Sequence, residues 1–493
     1  MKKLVKNIFS GKKITVMGLG LLGGALNDIR YLANHGAELL VTDLKTREEL
    51  KPSLAKLRKY KKIKFVLGKH RREDFHNTDM ILQPGNVPID SPYLAEAHKH
   101  HIPIFVSESL FAKYAEEAMM IGITGTRGKS TVTQLIYEIL KLNYDLGLNQ
   151  SAKSRLIGQK GFLGKPFLGG NVKNVSTLAL LDQVKAGDIV VMELDSWALR
   201  GMGDIKKSPH IAVFTNLMVD HQNFYGSTKL TTGKNGMDLY FADKANIFLN
   251  QIAGDYLVCG RGVFKLIQRK YKRFSSQAVA PDARVVPKNW KIKLLGEHNR
   301  LNIAYAVTVA RILDVPEKII KKVVEDFKGV PGRLELIREI RGIKYYNDTT
   351  ATTPDGVLAA IKALKPTLKG ALKPSGEGSG KEGGIVLISG GTDKELEYKA
   401  YSQEVSKVVK ALILFKGTAT EKILKELRKT HYERRIKMPL EIIESMKNAM
   451  NFAKKYAQKG DIVLLSPGAA SFEIFQNEFD RGEQFNVLVK KIK

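Results

Sequence analysis

The order of apolar and polar positions predicts a chain in which short strands alternate with helices. The pattern predicts a strand over residues 14–17, a glycine turn, a helix over about residues 22–35 and a second strand over residues 38–42 that ends at Asp43. Short apolar runs separated by helical periodicity are typical of βαβ units with a parallel sheet. Further strands are predicted at residues 80–82 and 104–106. Residues 1–115 are therefore expected to form a small Rossmann-like domain.

The same alternation repeats twice along the chain. An apolar run over residues 118–123 leads into a glycine-containing loop and then into a helix over residues 132–142. Later elements of this central domain are predicted as strands at residues 189–193, 211–216 and 245–249 and a helix at residues 302–313. Strands of a third domain are predicted at residues 343–347, 385–389, 411–415 and 462–466. We therefore predict an α/β protein of three domains with mostly parallel sheets: residues 1–115, a central P-loop domain over residues 116–335, and a Rossmann-like C-terminal domain over residues 336–493.

The composition fits this picture. A chain of 493 residues with 43% hydrophobic content is too long for one ordinary core. The single cysteine, Cys259, excludes an internal disulfide and a cysteine cluster for zinc, which is typical of a reducing compartment. Glycines interrupt the apolar stretch after the N-terminal lysines, and no run of 18 apolar residues exists. We therefore expect a cytoplasmic protein without a membrane span.

The net charge of +30 raises the question of a polyanionic partner. The lysines are spread along the chain, and no pattern of a known nucleic-acid-binding module accompanies them. Dispersed lysines favour a solvated surface, so no nucleic-acid partner is expected.

The strongest chemical signal is Gly125-Thr-Arg-Gly-Lys-Ser-Thr131, which stands between a predicted strand and a predicted helix. Backbone N–H groups of such a loop point at phosphate oxygens, Lys129 supplies a positive charge, and Ser130 can bind Mg²⁺. Ile123 stands where the usual motif has its first glycine, so this is a variant P-loop. A surface turn is the alternative, but the strand–loop–helix context favours a nucleotide site.

A second glycine loop, Gly18-x-Gly20-x-x-Gly23, follows the first strand, with Asp43 at the end of the next strand. This pattern is typical of dinucleotide binding, with the acidic residue on a ribose. The glycines fit the phosphates of a UDP group as well as those of NAD. A turn with a purely structural role is a further alternative.

Acidic and imidazole groups follow two strands of the central domain. Glu193 ends one strand, and His221 lies a few residues beyond the next. Open α/β sheets bind ligands at the carboxyl ends of their strands, so these groups could complete a Mg²⁺ shell with Ser130. Each by itself is as often a capping or surface residue.

Several segments together resemble the Mur ligase family over nearly the whole chain. They are the loop at residues 125–131, Gly296-Glu-His-Asn-Arg-Leu-Asn302, Gly332-Arg-Leu-Glu335, Asn347-Asp348 and Ser466-Pro-Gly-Ala-Ala-Ser-Phe472. The start GLGLLG, the segment NDTTATTPDG and the ending SPGAASFEIFQNEFDRGEQF are most similar to the branch that adds D-glutamate to UDP-N-acetylmuramoyl-L-alanine.

The resemblance implies roles at matching positions. ATP contacts are implied for Gly125, Thr126, Arg127, Gly128, Lys129, Ser130, Thr131, His298, Asn302, Arg333 and Asp348. Two Mg²⁺ ions are implied at Ser130, Glu193, His221 and a carbamylated Lys244. The UDP-substrate contacts are implied at Gly20, Leu21, Asp43, Lys45, Gly85 and Asn171, and the D-glutamate contacts at Thr352, Lys394 and Ser471. Without the resemblance, Lys244 reads as one more surface lysine.

The chain departs from the family pattern at a few of these places. The family usually has a threonine at the position of Leu22, a serine at that of Gln83 and a lysine at that of Thr350. In the pair Glu478-Phe479 the acidic residue precedes the aromatic one, whereas the family has the opposite order. These positions bear on which amino acid is bound more than on the reaction type.

The implied reaction transfers the ATP γ-phosphoryl group to a carboxylate and then replaces it by an amine. Lys129, His221, Lys244 and Lys394 are the candidate catalytic residues, and closure about residues 329–335 is expected to gate turnover in a monomer. The alternatives are another Mur-type or folylpolyglutamate-synthase-like ligase and a basic P-loop ATPase that acts on nucleic acid. An NAD dehydrogenase would leave residues 125–131 unexplained.

Overall fold

The structure is a computed structural model. It describes residues 8–20, 24–85, 87–88, 90–148, 164–172, 175–220, 222–225, 236–272, 274–365, 383–434 and 438–492. These residues divide into two compact units. The first is drawn from Met1–Trp290 and Leu301–Glu325, and the second from Lys291–Arg300 and Asp326–Lys493.

The first unit contains two sheets whose paired strands all run parallel. One has the order β3-β2-β1-β4-β5 and the other the order β11-β10-β9-β6-β8-β7. The strands of the first sheet are β1 Lys13–Met17, β2 Glu38–Asp43, β3 Lys64–Leu67, β4 Met80–Leu82 and β5 Ile104–Phe105. Those of the second are β6 Met119–Thr124, β7 Pro166–Gly170, β8 Ile189–Glu193, β9 Ile211–Phe214, β10 Tyr256–Cys259 and β11 Gln277–Val279.

The second unit contains one sheet with the order β12-β13-β17-β14-β15-β16. Its strands are β12 Glu335–Ile340, β13 Ile343–Asn347, β14 Ile385–Gly390, β15 Val409–Phe415, β16 Leu440–Ile443 and β17 Ile462–Leu465. β12 pairs antiparallel with β13, and the other pairs are parallel. Three mostly parallel sheets confirm the predicted α/β class.

Helices connect these strands. They span Gly24–Asn34, Lys51–Ala55, Pro92–Lys99, Ser107–Tyr114, Lys129–Asp145, Ser196–Asp204, Gln222–Tyr225, Gly236–Ala245, Arg261–Lys270, Glu297–Ile312, Glu317–Asp326, Pro354–Leu364, Lys399–Val408, Thr418–Arg434, Met446–Tyr456 and Glu478–Lys490. Short 3-10 helices span Arg72–Phe75, Leu178–Asp182 and Ala283–Val285. Within the described parts of the chain, every helix is too short or too polar to cross a bilayer.

The central strands are apolar on both faces because helices cover both sides of a parallel sheet. All six residues of β6 are buried, as are all five of β8. Such continuous apolar runs are typical of parallel sheets, and they explain why the sequence pattern located these strands well.

The predicted strand at residues 245–249 is wrong. The helix Gly236–Ala245 continues there into turns, in which the N–H groups of Ile247 and Phe248 donate to the carbonyls of Lys244 and Ala245. Ile247 and Phe248 are buried, so the apolar run reflects packing of a helix end and not a strand. The strand that follows β9 along the chain and pairs with it is β10 instead.

The segment predicted as a hinge contains residues with positive φ angles, namely Gly329, Gly332 and Leu334. Glu335 already begins β12, an edge strand that the sequence pattern did not predict. Movement about this segment, and the domain boundaries at 115/116 and 335/336, stay predictions.

Candidate functional site

The loop over residues 125–131 lies between β6 and the helix Lys129–Asp145, as predicted. Two of its glycines have positive φ angles, 142° at Gly125 and 84° at Gly128. A Cβ atom at Gly125 would lie 2.0 Å from Thr215 Oγ1, and one at Gly128 would lie 2.4 Å from Asn302 Oδ1. Only glycine fits these positions without displacing buried neighbours.

The residues that follow β9 hold the loop in shape. The N–H of Thr126 donates to the carbonyl of Asn216 at 3.0 Å, and the N–H of Arg127 donates to Asn216 Oδ1 at 2.8 Å. The hydroxyl of Thr215 donates to the carbonyl of Arg127 at 2.6 Å. These bonds fix the backbone before any ligand binds, which lowers the entropy cost of binding.

The helix Lys129–Asp145 starts at this loop, with Gly128 as its N-terminal cap. Lys129 folds back, so that its Nζ donates to the carbonyls of Gly125 at 3.0 Å and Thr126 at 3.3 Å. Thr131 is buried in the first turn. Backbone N–H groups at a helix N-terminus and a nearby lysine are suited to bind phosphate.

Ser130 and Glu193 meet next to this helix start. Ser130 Oγ donates to Glu193 Oε2 at 2.6 Å, although the two residues lie on different elements. Glu193 is buried at the carboxyl end of β8. A hydroxyl and a carboxylate side by side are oxygen ligands of the kind Mg²⁺ prefers. The predicted partner His221 lies outside the described residues.

Lys244 is buried, with 1% of its surface exposed, so its interpretation as a surface lysine is wrong. Its Nζ donates to Thr124 Oγ1 at 3.1 Å and to the carbonyl of Gly125 at 3.2 Å, and it lies 4.8 Å from the Tyr240 ring centre. Burial, reinforced by the charge of Lys129, lowers the pKa of Lys244 to about 7. Near neutral pH a large share of this amine is therefore uncharged and nucleophilic.

The structure thus brings together several residues that are far apart in the sequence. Residues 125–131, Glu193, Lys244 and Asn302 all lie around the carboxyl ends of β6 and β8. This is the edge of a parallel sheet at which ligands bind.

The first glycine loop is held by Asp43. Its Oδ2 accepts from the N–H of Leu19 at 2.8 Å and of Gly20 at 3.1 Å, and its Oδ1 accepts from the N–H of Lys45 at 2.9 Å. Asp43 therefore shapes the loop through backbone bonds, whatever it does with a ligand. Lys45 is exposed, and Leu21 lies outside the described residues.

Gly85 lies against the helix Ser196–Asp204, and Asn171 directly follows β7 of the second sheet. A Cβ atom at Gly85 would lie 2.7 Å from the Cβ of Trp197. The N–H of Asn171 donates to the carbonyl of Glu193 at 2.8 Å, and its side chain is exposed. Gly85 is therefore placed against a helix and Asn171 against the end of β8, and their roles toward a substrate stay predictions.

The second unit carries the remaining residues predicted to contact the nucleotide. Asp348 is buried, and its carboxylate accepts from the N–H of Leu334 at 3.0 Å and from the hydroxyl of Ser466 at 2.8 Å. Arg333 immediately precedes Leu334, and His298 lies in the first turn of the helix Glu297–Ile312. Asp348 therefore fixes the backbone next to Arg333.

Two of the three predicted D-glutamate contacts meet in the second unit. Lys394 Nζ donates to Thr352 Oγ1 at 3.0 Å. Ser471 is buried and lines a pocket with Arg481 and with residues at the carboxyl ends of β14 and β15, namely Gly390, Gly391, Phe415 and Lys416.

Arg481 is a residue that the sequence patterns did not single out. It is fully buried, and its guanidinium donates to Thr349 Oγ1 at 3.1 Å and to the carbonyls of Thr349 at 2.9 Å and Ala469 at 3.3 Å. Burial lowers the pKa of Arg481 to about 10. A buried cation beside Ser471 is suited to an anionic ligand. Arg481 lies in the first turn of the helix Glu478–Lys490, and nothing in the sequence indicates that it is buried.

Three family models match successive parts of the chain. Residues 12–106 match the Mur ligase MurD-like N-terminal domain, residues 123–310 the Mur ligase middle domain, and residues 332–468 the Mur ligase glutamate ligase domain.

Curated relatives match the chain over nearly their full length. The chain is 33% identical to the UDP-N-acetylmuramoylalanine–D-glutamate ligase of Borreliella afzelii strain PKo, over 96% of each chain. It is 32% identical to the ligase of the same name from Roseiflexus sp. strain RS-1, over 98% of this chain and 99% of that one. Among solved structures, it resembles the UDP-N-acetylmuramate–alanine ligase of Thermotoga maritima with a TM-score of 0.58 and 17% identity, over 98% of this chain and 100% of that one. At that identity the structural likeness shows the fold.

Proposed function

The chain belongs to the Mur ligase family, and we propose that it uses ATP to join D-glutamate to UDP-N-acetylmuramoyl-L-alanine, a step in peptidoglycan precursor synthesis. One observation carries the proposal: the loop over residues 125–131, the Ser130–Glu193 pair and the buried Lys244 lie together at one sheet edge. That arrangement supports phosphoryl transfer rather than nucleotide binding alone. A cytoplasmic monomer is the setting we propose for it.

The reaction must activate a carboxylate, which is a poor electrophile at neutral pH. The oxygen of the L-alanyl carboxylate attacks the γ-phosphorus, the bond to ADP breaks, and an acyl phosphate forms. The amine of D-glutamate then attacks the acyl carbon, loses a proton and displaces inorganic phosphate. The residues of the chain act mainly by positioning these groups and by offsetting their charge.

The residues around the loop fit bound magnesium. Ser130 and Glu193 present hard oxygen ligands 2.6 Å apart, and His221 is the further ligand proposed for this position. Mg²⁺, when bound there, would neutralise charge on the phosphates. Lys129 adds a fixed positive charge, and the N–H groups at the helix start orient the phosphate oxygens.

Lys244 fits carbamylation, which would supply a ligand for a second Mg²⁺. Its uncharged amine can attack CO₂, forming an N–C bond and releasing a proton to water. The product is a carboxylate held beside Thr124 and Gly125, at the start of the loop. Burial by itself disfavours this anion, so the positive charge of Lys129, which interacts with Lys244, would be needed to offset it.

The amino acid is proposed to bind in the second unit. Lys394 and Thr352 lie in hydrogen-bond contact and would hold one of its carboxylates, and Ser471 would hold another polar group. His298, Asn302, Arg333 and Asp348 are proposed to contact the adenosine or the phosphates of ATP.

The test measures ADP release by the purified full-length protein with a panel of acceptors and amino acids. UDP-N-acetylmuramoyl-L-alanine with D-glutamate should give turnover, L-glutamate should not, and Lys129→Ala should abolish the activity. Lys265→Ala, an exposed lysine outside the loop, is the matched control and should leave it intact.

Two outcomes would contradict the proposal. Turnover with a different acceptor or amino acid, such as a folate with L-glutamate, would favour another ligase of the same mechanism. ATP hydrolysis that depends on nucleic acid and not on the UDP substrate would favour the basic P-loop ATPase.

A further inference from the structure

Two histidines and one glutamate form a cluster in the first unit that the proposed reaction does not use. His100 Nε2 lies 3.0 Å from Glu96 Oε1, and His76 Nδ1 lies 3.3 Å from the same oxygen. One ligand atom from each residue lies within 4.8 Å of the other two. The two imidazole rings are 4.8 Å apart and tilted by 36°.

The local structure holds the three side chains in place. Glu96 lies in the helix Pro92–Lys99, and His100 caps the end of that helix four residues after Glu96, on the same face. His76 follows the 3-10 helix Arg72–Phe75. The fully buried Phe75 ring packs against Tyr93 of the helix at 5.3 Å. Two packed elements therefore set the backbone positions of the cluster.

His76 Nδ1 is buried and forms no hydrogen bond within the described part of the chain. Its contact of 3.3 Å with Glu96 Oε1 is an ion-pair distance without hydrogen-bond geometry. His100 Nε2, in contrast, is hydrogen-bonded to Glu96 Oε1. Buried polar atoms nearly always form a hydrogen bond, so the missing hydrogen bond of His76 Nδ1 needs an explanation.

We propose that His76, Glu96 and His100 bind a divalent transition-metal ion, with Zn²⁺ as the best match. Zn²⁺ takes two imidazoles and one carboxylate with bonds of about 2.0–2.1 Å, which places neighbouring ligand atoms of a tetrahedron about 3.3–3.4 Å apart. The contacts of 3.0 and 3.3 Å to Glu96 Oε1 are close to this spacing. The ion would bind His76 Nδ1, which forms no hydrogen bond with Glu96, and partial exposure of His100 leaves room for water as a fourth ligand.

The position of the cluster separates it from the ligase chemistry. His76 precedes β4 and His100 precedes β5, so the cluster lies at the amino ends of these parallel strands. The glycine loop at residues 18–20 and Gly85 follow the carboxyl ends of β1 and β4, at the opposite edge of the same sheet. The ion would join the helix Pro92–Lys99 to the 3-10 helix before β4, as a structural clamp.

The test titrates the chelator-treated full-length protein with Zn²⁺, and in parallel with Co²⁺, in a large excess of Mg²⁺. One equivalent should bind, because imidazole ligands favour Zn²⁺ and Co²⁺ over Mg²⁺, and Co²⁺ should show the visible absorption of a site with nitrogen ligands. His76→Gln and Glu96→Gln should each weaken Zn²⁺ binding at least about tenfold. His98→Gln changes an exposed histidine of the same helix outside the cluster and should bind as the unchanged protein does.

His100→Gln distinguishes loss of metal binding from loss of folding. His100 is the most exposed member of the cluster, so its replacement should disturb packing least. It should keep the melting temperature of the metal-free protein and still lose Zn²⁺ binding. Absence of saturable binding, binding retained in His76→Gln or His100→Gln, or binding lost in His98→Gln would each overturn the metal site. ADP release is measured on the same samples, so a failure of the proposed ligase activity is seen separately.

Discussion

Lys244 gains its chemical character from its surroundings. The same side chain on the surface would be charged at any physiological pH, whereas here burial lowers its pKa to about 7. Because the pKa in the folded chain is below that of the unfolded chain, folding releases a proton between pH 7 and about 10.5. The energetic penalty of burying this group is therefore complete below pH 7 and is relieved as the pH rises.

This pKa predicts how activity depends on pH. In buffer depleted of bicarbonate, activity should fall as the pH drops through 7, because the protonated amine of Lys244 cannot form a carbamate, and added bicarbonate should restore it. Lys244→Ala should be inactive but partly rescued by short carboxylic acids that occupy the vacated space. The rescued variant lacks the amine, so it should also lose this step in the pH profile. A rescued variant with the original profile would assign the titration to another group.

Adding one methyl group at Gly128 tests whether the close packing of the loop is needed for ATP use. Gly128→Ala combines a positive φ of 84° with a Cβ atom 2.4 Å from Asn302 Oδ1. We expect the kcat/KM for ATP to fall about tenfold or more, which corresponds to roughly 1.4 kcal/mol or more of lost transition-state stabilisation. The measurement is steady-state kinetics with ATP as the varied substrate.

The control is Gly147→Ala, which has a similar φ of 67° but open space around the new Cβ atom. It should cost stability through backbone strain, by about 1 kcal/mol, and leave the KM for ATP unchanged. Equal kinetic effects of the two variants would show that strain alone, and not contact with Asn302, is responsible.

At the scale of elements, the helix Glu478–Lys490 supports the pocket that Ser471 lines. Its cap residue Asn477 accepts hydrogen bonds from the N–H groups of Phe479 and Asp480, both at 2.9 Å. The helix carries Arg481, whose guanidinium holds Thr349 and the carbonyl of Ala469. Loss of the cap should therefore loosen the first turn of the helix and so displace Arg481, which lines the pocket.

We expect Asn477→Ala to destabilise this helix by about 1 kcal/mol, since both cap bonds are lost. Amide hydrogen exchange should accelerate in residues 478–482, and the KM for the amino acid should rise while the KM for ATP stays unchanged. Asn477→Asp keeps a cap acceptor and adds a charge that the helix N-terminus favours, so it should match the original protein. If Asn477→Asp were as damaging as Asn477→Ala, the cap explanation would fail.

At the scale of the whole molecule, the net charge of +30 acts on anionic substrates from a distance. We expect the kcat/KM for the UDP substrate to fall several-fold as ionic strength rises, because salt screens the attraction that speeds association. The kcat at saturating substrate should change little. Steady-state kinetics over a salt series provides the measurement, with a neutral solute as the control. If kcat/KM did not depend on salt, the net positive charge would not contribute to substrate binding from a distance.

Local signals in the sequence determined the alternation of strands and helices and the position of both glycine loops. These features depend on neighbours within a few residues, such as the continuous apolar run of β6 and the glycines at positive φ. The same local reasoning failed at residues 245–249, where a helix end packed in the core has the apolar composition of a strand.

Contacts between distant residues were decided only by the tertiary structure. It placed Ser130 against Glu193, buried Lys244 beside Thr124, and brought His76 to Glu96. A pKa, a metal ligand set or a buried arginine depends on which side chains meet in space and how much water remains around them. The order of residues determined which groups were present, and packing of the sheets determined which of them act together.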